Sequence, residues 1–121
     1  MRMFSLLLLA PTFALAQLWV PTVFPSEAVP LTPEALKQRL AGKAFLVRPA
    51  AGAEMRLQYQ ETDALINIGN SSDSGKWRVE GSSVCVDWQK FPPGCSEVRL
   101  VGDVMYTKRA SNGEIVILQP R

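Results

Sequence analysis

The chain has 121 residues, with 13 lysines and arginines against 11 acidic residues and no histidine, and this length allows one domain. The net charge of +2, without a basic cluster, argues against a nucleic-acid or anionic-membrane partner. Because histidine is missing and no nucleophile elbow, phosphate loop or zinc-protease motif occurs, we expect no enzyme activity, no cofactor and no metal.

Residues 1–16 have the pattern of a cleaved signal peptide. Arg2 precedes a short apolar run, and residues 14–16 form a small-x-small cleavage site. The apolar run is interrupted by Pro11 and is shorter than the roughly 20 residues that span a bilayer. We therefore expect the mature protein to be periplasmic or secreted, with no stable membrane anchor.

Residues 17–31 form a predicted extended arm ahead of the folded domain, which we place at residues 32–121. Pro21, Pro25 and Pro30 fix φ and remove hydrogen-bond donors, which disfavours both a helix and a central strand. Trp19 and Phe24 have two interpretations: they fold back over the core, or they dock on a partner.

One helix is predicted over residues 32–41. Thr32 is a typical N-cap, Pro33 suits the first helical position, and Gly42 follows the end of the helix. Leu36 and Leu40 lie one turn apart and form the face that we expect to be buried.

From residue 43 onward the hydrophobic period is two, which is typical of strands with one face buried and the other in water. Eight strands are predicted, at residues 44–48, 54–60, 64–69, 76–80, 84–88, 95–100, 104–109 and 114–118. The polar residues 70–74 are predicted to form a loop. Connections this short cannot cross over a sheet, so the fold class is mainly β: an eight-stranded antiparallel meander with one N-terminal helix. Both a small closed barrel and a strongly curved open sheet fit this pattern.

Cys85 and Cys95 are predicted to form a disulfide. In an oxidising compartment two thiols pair unless geometry prevents it. The alternatives, a metal pair or a redox Cys-x-x-Cys motif, require closer spacing or further ligands. Val84, Val86 and Trp88 form the apolar face of one strand, and alternation then puts both cysteines on the outer face.

Several motifs of the chain resemble those of small exported bacterial proteins that are known only as domains of unknown function. The shared features are a Leu-Thr-Pro-Glu-x-Leu helix, an Ala-Gly-Lys end, a Gly-x-Trp-x-Val strand, a Val-Cys-x-x-Trp strand and a second cysteine before a Val-x-Leu strand. They lie at residues 31–36, 41–43, 75–79, 84–88 and 95–100. The resemblance covers most of the mature chain, and it implies a shared fold and export without implying an activity.

The Gly-Lys-Trp segment at residues 75–77 also resembles the Gly-x-Trp motif of lipocalins, which are barrels that hold apolar ligands. In lipocalins that motif lies on the first strand, whereas here three predicted strands precede it. The resemblance therefore implies only an analogy of packing, in which Trp77 closes one end of a small barrel.

Two regions are candidate binding sites. The first, which we call the lip, is a loop pinned by the disulfide, and its candidate residues are Trp88, Lys90, Phe91, Pro92 and Pro93. Rigid aromatic residues lose little entropy on binding, so the lip suits a protein partner. The second region is the barrel interior, which suits a small ligand. Its candidate pocket residues are Tyr59, Trp77 and Tyr106.

These candidates lead to two hypotheses of function. The preferred one is a non-catalytic binding module whose target is a protein that contacts the lip. The alternative is a small-ligand carrier with an internal pocket, but ligand pockets are typically about 300 Å³ or larger. We expect eight short strands to enclose less than that. Ordinary core packing and an ordered turn would also explain both regions.

Overall fold

Eight antiparallel strands close into a barrel in the computed structural model, which describes residues 20–121. In chain order the elements are β1 (Val29–Pro30), α1 (Pro33–Leu40), β2 (Lys43–Val47), β3 (Met55–Tyr59), β4 (Asp63–Ile68), β5 (Ser71–Glu80), β6 (Ser83–Trp88), β7 (Gly94–Val101), β8 (Val104–Lys108) and β9 (Ile115–Pro120). No helix in this part of the chain is long and apolar enough to cross a membrane. The predicted signal peptide at residues 1–16 and Trp19 lie outside the described residues.

The barrel is a simple meander. Each strand from β2 to β9 pairs with the next, and β9 pairs back with β2. The predicted antiparallel meander is confirmed, and of the two alternatives the closed barrel is the one that forms. The closing seam is short, with Phe45 opposite Pro120 and Leu46 opposite Gln119. The short strand β1 pairs with β7 beyond the end of the β6–β7 pairing, where Val29 lies opposite Leu100.

The period-two pattern places the core where it was predicted. On β3, Met55 and Tyr59 are buried and Arg56 is exposed, and on β4, Ala64 and Ile66 are buried. The walls of the barrel therefore follow from local alternation of apolar and polar residues.

The strand β5 begins earlier than predicted. Residues 71–74 were predicted to lie in a loop, but they pair with β4, with Ser71 opposite Ile68 and Asp73 opposite Ile66. Gly69 has a positive φ of 58° and forms the tight turn that makes this pairing possible. The prediction was wrong because Asp73 takes an inward strand position through hydrogen bonds, which no hydrophobic pattern shows.

The disulfide between Cys85 and Cys95 is confirmed. The two residues lie directly opposite each other in the register of β6 and β7, with Cα atoms 4.0 Å apart. Cys95 is exposed, but Cys85 is only 1 % exposed, although it points away from the interior. Its neighbours across the sheet, Arg78 on β5 and Cys95 on β7, flank it on both sides. Cys85 therefore lies on the predicted outer face but is covered there, whereas Cys95 is exposed.

Helix α1 covers one end of the barrel. Thr32 caps it by accepting a hydrogen bond from the Ala35 N–H at 3.2 Å, as predicted for this N-cap. Leu36 and Leu40 are completely buried in the core. The Leu31 N–H donates to Ser82 Oγ at 3.0 Å, which fixes the entry to the helix against the β5–β6 turn.

The described part of the arm folds back along the outside of the barrel. The Pro21 carbonyl accepts a hydrogen bond from the Ile115 N–H at 2.8 Å. Phe24 is 8 % exposed and lies under the Arg99 guanidinium, whose carbon is 4.4 Å from the ring centroid. Of the two interpretations for Phe24, the structure therefore supports packing against the domain.

At Gly75 the backbone of the neighbouring strand leaves no room for a side chain. A Cβ on Gly75 would meet the backbone of Asp87 and would lie 2.9 Å from Trp88 Cα. We expect Gly75→Ala to lower the free energy of unfolding by about 1–3 kcal/mol, because β5 and β6 must separate to accept the methyl group. Urea unfolding measures this change.

The control for Gly75→Ala is Ser72→Ala, on an exposed position of the same strand. This variant should stay within about 0.5 kcal/mol of the parent. Equal stability of the two variants would contradict the close approach of β5 and β6.

Candidate functional site

The end of the barrel opposite α1 contains an apolar cavity of about 390 Å³. Its walls are inward side chains of the barrel strands, chiefly Val47, Met55, Leu57, Ile66, Ile68, Val84, Val86, Val116 and Leu118. The β6–β7 and β8–β9 loops border its mouth with Phe91, Pro92, Pro93, Arg109, Ala110 and Ser111. The cavity is larger than the sequence-based estimate of what eight short strands enclose, and that estimate is therefore wrong.

Three aromatic side chains close the inner end of this cavity. Tyr59 makes edge contacts with Phe45 and Trp77, at centroid distances of 6.2 and 5.2 Å. The Trp77 indole N–H donates to the Gln60 carbonyl at 2.8 Å. Trp77 therefore belongs to the closed end of the barrel and does not line the cavity, so the prediction of Trp77 as a pocket residue is wrong.

Tyr59 is the candidate pocket residue that does line the cavity. Its side chain is 4 % exposed, and burial raises the pKa of its phenol well above the usual range. No group within residues 20–121 forms a hydrogen bond with the hydroxyl. Among the described residues, the Tyr59 hydroxyl is therefore an O–H donor without a partner at the floor of the cavity.

Tyr106 was predicted to line the interior, and this prediction is wrong. Met105 and Thr107 are the buried residues of β8, so Tyr106 points to the outer face. There it borders a groove next to Pro21 and Ile117. The sequence was ambiguous because the two faces of β8 are similar. One face has Val104 and Tyr106, and the other has Met105 and Thr107.

The lip and the pocket, predicted as separate sites, form one site. Trp88, Phe91, Pro92 and Pro93 line the cavity together with Tyr59. Lys90 alone of the predicted lip residues lies outside it, exposed, with its Nζ donating to the Ser72 carbonyl at 3.3 Å.

The carboxylate of Asp73 holds the lip in place. Its Oδ2 accepts the backbone N–H groups of Lys90 and Phe91 at 2.8 and 2.9 Å, and its Oδ1 accepts that of Ser74 at 2.8 Å. Burial acts to raise the pKa of Asp73, but the three N–H donors and the nearby Lys90 charge outweigh it and lower the pKa. The sequence analysis missed this residue because it placed Asp73 in a solvated loop.

The opposite rim of the mouth is held by a buried ion pair. Arg109 Nη1 lies 3.1 Å from Glu114 Oε1, and the Glu114 side chain is 4 % exposed. Glu114 Oε2 also accepts the Ala50 N–H at 2.7 Å, which ties the β8–β9 loop to the β2–β3 loop. The two rims approach each other closely at Gly94, on the lip side, and Ala110, in the β8–β9 loop. A Cβ atom added to Gly94 would lie only 2.8 Å from Ala110 Cβ.

A group of potential metal ligands lies away from this site, on the outer face of the barrel. The group of three potential metal ligands found in residues 20–121 consists of Glu80, Cys85 and Cys95. Since the two sulfurs are bonded to each other, they offer no thiolate to a metal. Asp63, the first residue of β4, forms an ion pair with Lys76.

The described chain is thus a small closed barrel with an internal apolar cavity. No protein-family model, curated protein or solved structure matches it. The resemblance to exported bacterial proteins of unknown function stays a prediction.

We expect Asp73→Asn to loosen the lip, because the amide has one acceptor oxygen where the carboxylate offers two charged ones. Hydrogen exchange of the Lys90 and Phe91 amides should become faster, while the buried Val98 amide should not change. In the parent protein, the Lys90 and Phe91 amides should also exchange faster, relative to their intrinsic rates, as the pH falls through the lowered pKa of Asp73. The stabilisation of the lip by the ionised Asp73 carboxylate is complete above the unfolded-state pKa of about 3.9, and it is lost when the carboxylate is protonated.

Asp87→Asn is the matched control, since Asp87 is an exposed carboxylate that pairs with Arg78. It should leave the exchange of the lip amides unchanged. Equal protection of the lip in parent protein and Asp73→Asn would contradict the anchoring role.

Tyr59→Phe should not reduce stability. It removes a buried hydroxyl that has no hydrogen-bond partner within residues 20–121, so the free energy of unfolding should stay equal or rise by up to about 1 kcal/mol. Thermal and urea unfolding measure this, with Tyr106→Phe on the outer face as the control. A loss of more than about 1 kcal/mol in Tyr59→Phe would mean that the hydroxyl is paired.

Proposed function

We propose that the protein is a non-catalytic binding protein that holds a small, largely apolar molecule inside its barrel. The observation that carries this proposal is the apolar cavity of about 390 Å³ beneath the lip. That volume lies within the range of about 300–1,000 Å³ that is typical of ligand sites.

The size of the cavity limits the size of the ligand. An empty apolar cavity of about 150 Å³ holds one benzene molecule. The cavity here, at about 390 Å³, has room for an apolar group roughly two to three times that volume. A short acyl chain or a two-ring aromatic molecule fits this limit.

The lining supports an apolar ligand. The inward residues are mainly aliphatic, and one of the few polar groups, the Thr107 hydroxyl, already donates to the Glu97 carbonyl at 2.9 Å. Burial of each methylene contributes about 0.8 kcal/mol. A chain of about eight carbons would therefore gain roughly 6 kcal/mol, before the cost of lost translational freedom.

The protein-partner hypothesis loses part of its motivation, because the apolar lip side chains line the cavity. Binding of a protein through the lip stays a prediction, and so does export to the periplasm or the cell exterior. The disulfide is consistent with an oxidising compartment.

The proposal is tested with the neutral dye N-phenyl-1-naphthylamine, whose fluorescence rises in apolar sites. We expect saturable binding of one dye per chain to the parent protein. Leu57→Trp, which fills the cavity from β3, should abolish it. Ile68→Phe, which adds bulk to another cavity wall, should weaken it.

Leu65→Trp is the matched control, because Leu65 lies on the outer side of the neighbouring strand and does not line the cavity. Near-UV circular dichroism and unfolding curves establish that each variant is folded. Undiminished dye binding by a folded Leu57→Trp variant would contradict the proposal, and so would absence of dye binding to the parent protein.

A further inference from the structure

We infer that the bound molecule carries a carboxylate, which the Arg109 guanidinium holds at the mouth of the cavity. This inference rests on the proposed function and names the ligand class: a short fatty acid or an aromatic carboxylic acid, with its apolar part directed into the barrel.

Arg109 is placed at the mouth by the backbone around it. It follows β8 directly and lines the cavity. Its N–H donates to the Glu114 carbonyl at 2.8 Å, and its carbonyl accepts the Gly113 N–H at 2.9 Å. The β8–β9 loop is therefore a closed, hydrogen-bonded turn that presents Arg109 in one position.

The guanidinium has unused donors. One of its nitrogens, Nη1, pairs with Glu114 Oε1, and no second acceptor for the guanidinium occurs in the part of the chain that the structure describes. A guanidinium has five N–H donors in a planar fork. The Arg109 side chain is 23 % exposed, so these donors are partly removed from water.

The nearby acidic groups are already engaged. Glu114 Oε1 pairs with Arg109 and Oε2 accepts the Ala50 N–H, so this carboxylate orients the arginine. The Asp73 carboxylate, on the lip side, is turned to the N–H groups of Ser74, Lys90 and Phe91. The remaining Arg109 donors thus have no competing carboxylate at the mouth within residues 20–121.

A carboxylate is the ligand group that fits this position best. Its two oxygens match the guanidinium fork, and charge-assisted hydrogen bonds are about twice as strong as neutral ones. The polar groups at the rim include the Ser111 hydroxyl, whereas the walls are aliphatic. A ligand with one anionic end and one apolar end therefore complements both parts of the site.

The test compares octanoate with octan-1-ol, which have the same chain length and differ in the head group. Each displaces N-phenyl-1-naphthylamine from the protein at pH 7. We expect the parent protein to bind octanoate roughly tenfold or more tightly than octan-1-ol.

The deciding variant is Arg109→Gln/Glu114→Gln. Both residues are changed because substitution of Arg109 alone would leave the buried Glu114 carboxylate without its ion-pair partner. We expect this variant to lose the preference for octanoate, so that the ratio of its affinities for octanoate and octan-1-ol falls to about one. The matched control is Arg48→Gln/Glu54→Gln. It removes an exposed ion pair at the same end of the barrel, in which Arg48 Nε lies 3.1 Å from Glu54 Oε2. It should keep the preference for octanoate.

Equal affinities for the two probes in the parent protein would overturn the carboxylate inference and leave the proposed function standing. The same conclusion follows if Arg109→Gln/Glu114→Gln keeps the full preference. Failure of the dye and of both probes to bind the parent protein would overturn the proposed function itself.

Discussion

Closure of the barrel is the constraint on which the rest of the structure depends. Eight strands that close on themselves enclose a fixed interior, which the inward side chains must fill. At one end Phe45, Tyr59 and Trp77 fill it beneath the helix. Towards the other end the inward positions carry aliphatic residues that leave a cavity of about 390 Å³. The cavity is therefore a consequence of where the bulky residues lie along the barrel.

The mouth of the cavity is held by polar contacts. Asp73 fixes the lip through backbone N–H groups, and the Arg109–Glu114 pair fixes the opposite rim. The disulfide joins β6 and β7 directly behind the lip. Groups that are already held in place lose less entropy when a ligand binds. This organisation suits a small binding site better than a flexible loop would, and it places charged groups beside an apolar interior.

Much of the fold could be predicted because it follows from local signals. Thr32 and Pro33 begin the helix through its own backbone groups, and the alternation on β3 is set by the pleat of a single strand. The candidate site was predicted only in part. Tyr59 and most of the lip were named, but Tyr106 was assigned to the wrong face and Asp73 was taken for a solvated residue. Hydrophobicity could not have avoided either error. The two faces of β8 have similar residues, and the inward Asp73 is stabilised by N–H groups of Lys90 and Phe91, which lie 17 and 18 residues further along the chain.

The sequence by itself determined the mainly β class, the helix α1 and the only possible cysteine pairing, because caps, periodicity and a count of two cysteines are local or unambiguous. Only the tertiary structure decided that the sheet closes and that the lip and Tyr59 border one cavity. It alone brought Arg109 to the mouth of that cavity. These features depend on the register between strands that are distant in sequence, and on a volume that arises only when all eight strands are in place.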